Sequence, residues 1–178
     1  MRYFLFFLLS FMLFAEPEDF YYHHIQEINS KFSEVVLEDG SVWKIHPHYR
    51  CLVKDWKVGD ILCISPNHCC ETPPFDFTNL RLKNYAAISL LSPPGKNNVY
   101  TCYLAYSDPE KGKLAIWTQG ALYLYVVDKK DQEILQKWTV GDPMIIGTNE
   151  WLFSTLFSTC HTILINPKFN HFIRVQLE

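Results

Sequence analysis

The sequence predicts a mostly β protein made of two tandem small β-barrels of the SH3-like kind, which arose by internal duplication and follow an N-terminal signal peptide. Three observations lead to this fold: a motif that occurs twice, hairpin-type turns in each copy, and an apolar N-terminal segment. The chain has 178 residues, 48% hydrophobic and 20% charged, which is a globular composition with room for two small domains.

The N-terminal segment has the layout of a secretory signal. Arg2 gives a positive start, residues 3–15 are almost entirely apolar, and a polar stretch follows. A membrane-spanning helix needs about 20 apolar residues, so this segment is short for a permanent anchor. We expect a signal peptide at residues 1–15 and export to the periplasm or cell envelope, or secretion, with no transmembrane span after cleavage. An uncleaved anchor is the alternative, because Leu13 is larger than signal peptidases favour at its position.

The strongest signal is the repeated motif Trp-x-Val-Gly-Asp, each time followed by an apolar run. It occurs at residues 56–64 and again at residues 138–146, which lie 82 positions later. Upstream, residues 35–45 align with residues 115–125. The downstream blocks pair 82–84 with 164–166 and 87–90 with 172–175. Four blocks in the same order indicate a duplication.

The repeats define the predicted domain organisation. It comprises a signal peptide at 1–15, a lead-in segment at 16–32, a first barrel at 33–92, a linker and connecting strand at 93–112, and a second barrel at 113–178. Ile25, Ile28 and Phe32 are spaced three and four apart, which favours a short helix in the lead-in. We expect about five short strands per copy. The copies should pack together, since a 60-residue β unit buries little apolar surface alone.

Gly and Asp pairs predict the turns. Asp-Gly between two apolar arms is a strong hairpin signal, and Gln-Gly takes its place in the second copy. The Gly-Asp pairs of the repeated motif predict turns in which Asp bonds to its local backbone. The predicted turn residues are Asp39, Gly40, Gly59, Asp60, Gly120, Gly141 and Asp142. The run from Ile61 to Ile64 is continuously apolar, which is typical of a strand buried on both faces.

Six cysteines follow the signal, and an even number in an exported chain favours disulfides. Cys63 lies within an apolar run and is interpreted as a small core residue. The candidates for disulfide bonds, with the pairing left open, are Cys51, Cys69, Cys70, Cys102 and Cys160.

The residue patterns predict no metal, no cofactor and no catalytic residue. His68-Cys69-Cys70 does not have the common zinc spacings, and the His46-Pro47-His48 pair has no evident third ligand. Phosphate-loop, dinucleotide, zinc-protease and Gly-x-Ser-x-Gly motifs are missing from the sequence. The alternatives are an exported enzyme with a Cys- or acid-based site between the barrels, using Asp60 and Asp142, or a protein that handles thiols or metals.

The candidate binding residues are aromatic, and they are Trp43, Trp56, Trp138, Trp151 and Phe153. Tryptophans can floor a groove for peptides or glycans, but large aromatic residues also dominate cores, and we favour the core interpretation. Trp151 and Phe153 belong to an apolar insertion, residues 150–161, which either covers the core or contacts a partner or a membrane surface. The net charge of −3 argues against a nucleic-acid partner. The expected partner is a protein or an envelope component.

The combination Leu-x-Asp-Gly-Ser-x-Trp and Trp-x-x-Gly-Asp-x-Ile, at residues 37–43 and 56–61, resembles uncharacterised exported proteins of chlamydiae and related intracellular bacteria. The resemblance covers most of the first copy and is weaker in the second. It implies a location in a Gram-negative envelope or delivery toward a host, and it implies no activity. Chlamydial envelopes are rich in disulfide-linked proteins, which by analogy suits the cysteines of this chain.

Overall fold

The computed structural model of the chain describes residues 21–67, 72–149 and 159–178. Within them the protein consists of two closed, antiparallel, six-stranded barrels in tandem. The predicted signal peptide, His68, Cys69, Cys70, Trp151 and Phe153 lie outside the described residues.

The two barrels share one topology. Barrel 1 contains β1 (Tyr22–Ile28), β2 (Glu34–Leu37), β3 (Val42–Ile45), β4 (Ile61–Pro66), β5 (Phe75–Asn79) and β6 (Asn84–Ser92), in the order β1-β2-β3-β6-β5-β4 around the barrel. Barrel 2 contains β7 (Cys102–Asp108), β8 (Lys113–Thr118), β9 (Ala121–Val127), β10 (Pro143–Thr148), β11 (Thr162–Asn166) and β12 (His171–Leu177), in the order β7-β8-β9-β12-β11-β10. One helical turn crosses from the third to the fourth strand of each barrel, α1 (Arg50–Val53) and α2 (Gln132–Leu135).

Each barrel is closed by a strand from the segment that precedes its predicted repeat. The lead-in helix was a wrong prediction, because residues 22–28 form β1, in which His23 and Ile25 point inward and alternate with exposed side chains. β7 lies in the predicted connecting segment and belongs to barrel 2. Each predicted repeat contains the expected five strands, and the preceding segment adds a sixth, without which the barrel would have two unpaired edges.

The hydrogen-bonding register corrects part of the repeat alignment. Asn79 ends β5 and Asn166 ends β11, and each donates its side-chain amide to the motif aspartate of its own barrel. Asn79 and Asn166 are therefore counterparts, and the downstream blocks aligned by sequence are out of register. The block 87–90 is then two positions out of register, a slip that a strand pattern with a period of two tolerates, whereas the block 82–84 is five positions out.

The barrels pack against each other through β4 and β10, the corresponding strands of the two repeats. Ile145, Ile163 and Ile165 point away from the interior of barrel 2 and join the hydrophobic core of barrel 1. At the same joint Phe172 lies edge-on to Phe75, with ring centroids 6.1 Å apart. As a result β10 and β11 are buried on both faces. The sequence had predicted burial on both faces for β4, but there buried residues alternate with more exposed ones, and Ile61 is exposed.

Gly147 is the point of closest approach in this joint. A Cβ atom added there would lie 2.6 Å from the carbonyl oxygen of Ile64 in barrel 1 and 2.9 Å from Cγ1 of Ile163. Backbone atoms cannot move aside as a side chain can, so only glycine lets β10 lie this close to β4.

We expect Gly147→Ala to lower the free energy of unfolding by about 1–3 kcal/mol, because the new methyl group overpacks the joint. Chemical denaturation followed by tryptophan fluorescence measures the loss. Gly95→Ala is the control, since its nearest neighbour would be the Cβ of Asn98 at an ordinary 3.5 Å. Equal losses for the two variants would contradict a tight joint at Gly147.

Candidate functional site

A small polar cavity of about 40 Å³ lies between the barrels. Its walls include His23, Glu38 and Asp39 from barrel 1 and Cys102, Thr118 and Gln119 from barrel 2. His23 is opposite Leu62 in the β1–β4 ladder, as Cys102 is opposite Met144 in the β7–β10 ladder, so His23 and Cys102 occupy corresponding positions. Pockets for organic ligands are typically about 300–1,000 Å³, so this cavity is too small for one.

His23 connects the two barrels. Its Nδ1 lies 2.9 Å from Oε1 of Glu38, and its Nε2 lies 2.8 Å from the carbonyl oxygen of Ile146 in barrel 2. The backbone amide of His24 donates to the second oxygen of Glu38 at 2.7 Å, which fixes the carboxylate. A carbonyl oxygen only accepts, so Nε2 carries a proton, and Nδ1 donates to the carboxylate.

The surrounding charges keep His23 protonated. Burial alone would lower its pKa, but the hydrogen bond and charge of Glu38, the charge of Asp39 and the Ile146 carbonyl outweigh burial and raise the pKa to about 9. Burial raises the pKa of Asp39, whereas the Glu38 pKa is lowered because His23 and the His24 amide outweigh the effect of burial. At neutral pH His23 is thus a buried cation that joins the barrels.

Cys102 and His23 are not arranged as a nucleophile and its base. Burial and the carboxylates of Asp39 and Glu38 raise the Cys102 pKa to about 11, so the thiol stays protonated at neutral pH. Its Sγ lies 3.1 Å from Oγ1 of Thr118. Both nitrogens of His23 already donate to other acceptors, which leaves no free base for the thiol.

The thiol positions differ from the disulfide prediction in part. Two of the disulfide candidates carry free thiols: Cys51, which is exposed on α1, and Cys102, which lies in the joint beside Thr118. No disulfide is seen within the described residues. In the same residues no three His, Cys, Asp or Glu side chains are grouped so as to hold a metal ion. His46 and His48 instead lie against the ring of Tyr49, with centroids at 6.2 and 5.3 Å.

The three described tryptophans among the binding candidates lie in the cores. Trp43 is fully buried, donates to the Ser41 hydroxyl at 2.9 Å and packs edge-on against Phe77. Trp56 and Trp138 are also buried, at corresponding positions. No indole face of these three is open to a ligand, which agrees with the core interpretation.

A group of neighbouring exposed aromatic and aliphatic side chains lies on the outside of barrel 2. On the hairpin β8–β9, Leu114 and Ile116 point inward, while outward-pointing side chains alternate with the buried ones. We call the outward set the β8–β9 face; its exposed members are Trp117 (47% exposed), Leu122 (53%), Leu124 (46%) and Val126 (39%). Trp117 is paired with Leu122 across the ladder, and Tyr106 of β7 borders the face opposite Ala115.

The corresponding face of barrel 1 has a different character. There Glu34 is opposite Lys44 and Val36 is opposite Val42, where the ladder ends. The β8–β9 ladder continues to Thr118 opposite Ala121. The apolar face is therefore not a requirement of the barrel, since the same strands of the other copy carry charges. In the sequence, residues 121–127 are apolar or aromatic at every position. Such a run indicates a strand, but it does not show which of the two faces of the strand is exposed.

The two motif aspartates hold their turns together. Asp60 accepts hydrogen bonds from the Lys57 amide at 2.9 Å and the Asn79 side chain at 2.8 Å, and Arg81 binds both carboxylate oxygens. Arg81 foremost, outweighing burial, holds the Asp60 pKa well below its usual range.

Asp142 repeats the same turn with fewer partners. It accepts from the Thr139 amide at 3.0 Å and from the Asn166 side chain at 2.9 Å, but the nearest cation is Lys168 at 4.0 Å. Gly59 and Gly141 precede the aspartates with φ of 86° and 92°, a conformation that favours glycine. Gly40 and Gly120 have the same conformation at the hairpin tips, and Asp39 accepts from the Ser41 amide at 2.8 Å.

Sequence reasoning missed His23, Glu38 and Arg81. The alternation of buried and exposed positions around His23 was a usable strand signal, but the helical spacing of three isoleucine and phenylalanine residues concealed it. Glu38 and Arg81 bind His23 and Asp60, which are 15 and 21 residues away in the sequence. Only the pairing of the strands shows that these side chains meet.

Taken together, fold and site define a tandem β-barrel protein with a charged joint and an apolar outer face. No family model, curated protein or solved structure was found that matches the chain. Among the described residues, none of the helices has the length and apolar character needed to cross a membrane.

The His23 clamp makes stability pH-dependent. The folded-state pKa of about 9 lies above the ordinary 6.5, so its stabilisation is complete below about pH 6.5 and is lost as the pH rises through about 9. We expect the difference in unfolding free energy between wild type and His23→Gln to shrink by about 1–3 kcal/mol between pH 7 and 10. Urea titrations at each pH measure it. His24→Gln, at the exposed neighbour, should show no such trend, and a pH-independent His23 effect would argue against the clamp.

The motif aspartates should differ in their contribution to stability. We expect Asp60→Ala to cost about 3 kcal/mol, because Arg81 and two other donors lose their acceptor, and Asp142→Ala to cost about 1 kcal/mol. Thermal and urea unfolding of the two single variants measure these losses. If both variants unfolded at the same denaturant concentration, the Arg81 contact would not contribute as the geometry indicates.

Proposed function

We propose that this chain is an exported, non-enzymatic binding or structural protein of the bacterial envelope, with the β8–β9 face as its contact surface. The observation that carries the proposal is the exposure of four large apolar side chains, side by side, on an otherwise ordinary barrel. Singly exposed hydrophobic residues are common on protein surfaces, but a contiguous patch is typical of interaction sites.

The chemistry of the joint supports a binding role over a catalytic one. The cavity is about 40 Å³, the Cys102 thiol is protonated at neutral pH, and His23 is engaged at both nitrogens. Asp60 and Asp142 are engaged as acceptors within their own turns. The alternative, an exported enzyme or a thiol- or metal-handling protein with its site between the repeats, would need Cys102 or these aspartates in another state.

Export and location rest on the sequence. The positive, apolar and polar order of residues 1–19 supports export, and the resemblance to exported chlamydial proteins supports an envelope location. The partner class that suits an apolar sheet face is another protein surface, because burial of apolar area gives affinity without requiring charge pairs.

The test compares capture from native envelope extracts by tagged wild type and by a Leu122→Glu/Leu124→Glu variant. We expect wild type to retain a stoichiometric protein component, which can be a copy of this chain, and the variant to lose it, because two carboxylates cannot be buried in an apolar contact. The control is Val58→Glu/Val140→Glu, which adds the same charge at two exposed valines outside the β8–β9 face. Capture that is absent from wild type, or unchanged in the face variant, would overturn the proposal.

The variant Cys102→Ser distinguishes the binding role from the catalytic alternative. The binding role requires that this variant capture the same component as wild type, whereas a thiol-based site between the barrels requires the Cys102 sulfur.

A further inference from the structure

The β8–β9 face has a precedent within the same molecule. On β10–β11 the outward side chains Ile145, Ile163 and Ile165 are also apolar, and barrel 1 covers them. Barrel 2 therefore has two apolar outer faces, one covered by a barrel of the same chain and one exposed. The covered face shows that the outer surface of this barrel can pack into the hydrophobic core of another barrel.

We propose that the β8–β9 face packs against the same face of a second copy of this chain. This inference rests on the proposed function and names the partner. A two-fold interface places the same surface patch of both copies against each other, so a face with one sign of charge would repel itself. The chain carries no charged residue from Leu114 to Val127, so two β8–β9 faces meet without like charges.

Two lysines at the base of the hairpin are already paired within the chain. Lys113 forms an ion pair with Glu178, and Lys111 forms one with Asp108 at 3.0 Å. These pairs border the apolar residues at one end with polar groups, as the polar rim of a protein interface does. A strongly acidic or basic partner would find no unpaired counter-charge within the face itself.

The size of the face predicts a weak, reversible dimer. Tyr106 and the four residues of the face are each roughly half exposed, so together they offer roughly 400 Å² if a large side chain measures about 150–250 Å² in full. A stable interface buries about 800 Å² per partner, so the apolar face supplies about half and the rim must supply the rest.

The test is the oligomeric state of the purified full chain, measured by analytical ultracentrifugation from about 1 to 200 μM, the range of weak protein contacts. We expect dimerisation to increase with concentration, Leu122→Glu/Leu124→Glu to remain a monomer, and Val58→Glu/Val140→Glu to behave as wild type. Mixing the Glu variant with Leu122→Lys/Leu124→Lys should restore a heterodimer, because opposite charges then meet across the interface. Unchanged near-UV circular dichroism verifies that each variant is folded.

Two outcomes overturn the inference. Either wild type stays monomeric over the whole range, or a dimer persists in the Glu variant and therefore uses another surface. If wild type is monomeric but its face still captures a different protein from envelope extracts, the self-association fails while the proposed function stands. If wild type dimerises as expected but extracts yield only further copies of this chain, the protein acts as its own partner.

Discussion

The packing of barrel 2 on barrel 1 is the interaction on which the rest of the structure depends. A barrel of this size has a small core, and alone it buries a modest fraction of its surface. By placing Ile145, Ile163 and Ile165 in the core of barrel 1, the chain merges the interior of one barrel with the exterior of the other. The inter-barrel contact is thus comparable to a core, and the His23 cation lies at its edge, where a charged hydrogen bond crosses from β1 to β10.

Duplication kept the turns and changed the surfaces. The Trp-x-Val-Gly-Asp motif forms the same turn twice, with the aspartate accepting from the backbone and from an asparagine on the neighbouring strand. The outer faces diverged: β2–β3 has an opposed Glu34 and Lys44, whereas β8–β9 has Trp117 opposite Leu122. The glycine and aspartate of each motif turn and the asparagine that donates to the aspartate are the same in both copies, whereas the outer faces differ, which is why the outer faces carry the functional argument.

The sequence predicted the class and the duplication because these depend on local signals. Glycine in the turns and the double occurrence of a buried tryptophan are readable within a few residues. β1 was predicted as a helix, and β7 was predicted as a connecting strand without its place in barrel 2, because the strands that close the barrels with them, β4 and β10, are distant in the chain. The packing of the two copies was expected from their small size, but the strands that form the joint were not predicted. Nothing in the local pattern of β10 indicates whether its second apolar face meets barrel 1 or a separate molecule, and only the three-dimensional contact decides it.

Closure of both barrels limits how this protein can recognise anything. Each of the twelve strands of the described residues has a hydrogen-bonded neighbour on both sides, so neither barrel has an edge strand to which a strand of another chain could be added. Recognition by strand addition, which relies on main-chain hydrogen bonds and is tolerant of sequence, needs such an edge strand and is therefore not available to these residues. Contacts must run through side chains, and their specificity is then set residue by residue. Closure also prevents aggregation by edge-to-edge strand pairing. Barrel 2 can therefore expose an apolar face without exposing an unpaired strand edge that would promote fibril formation.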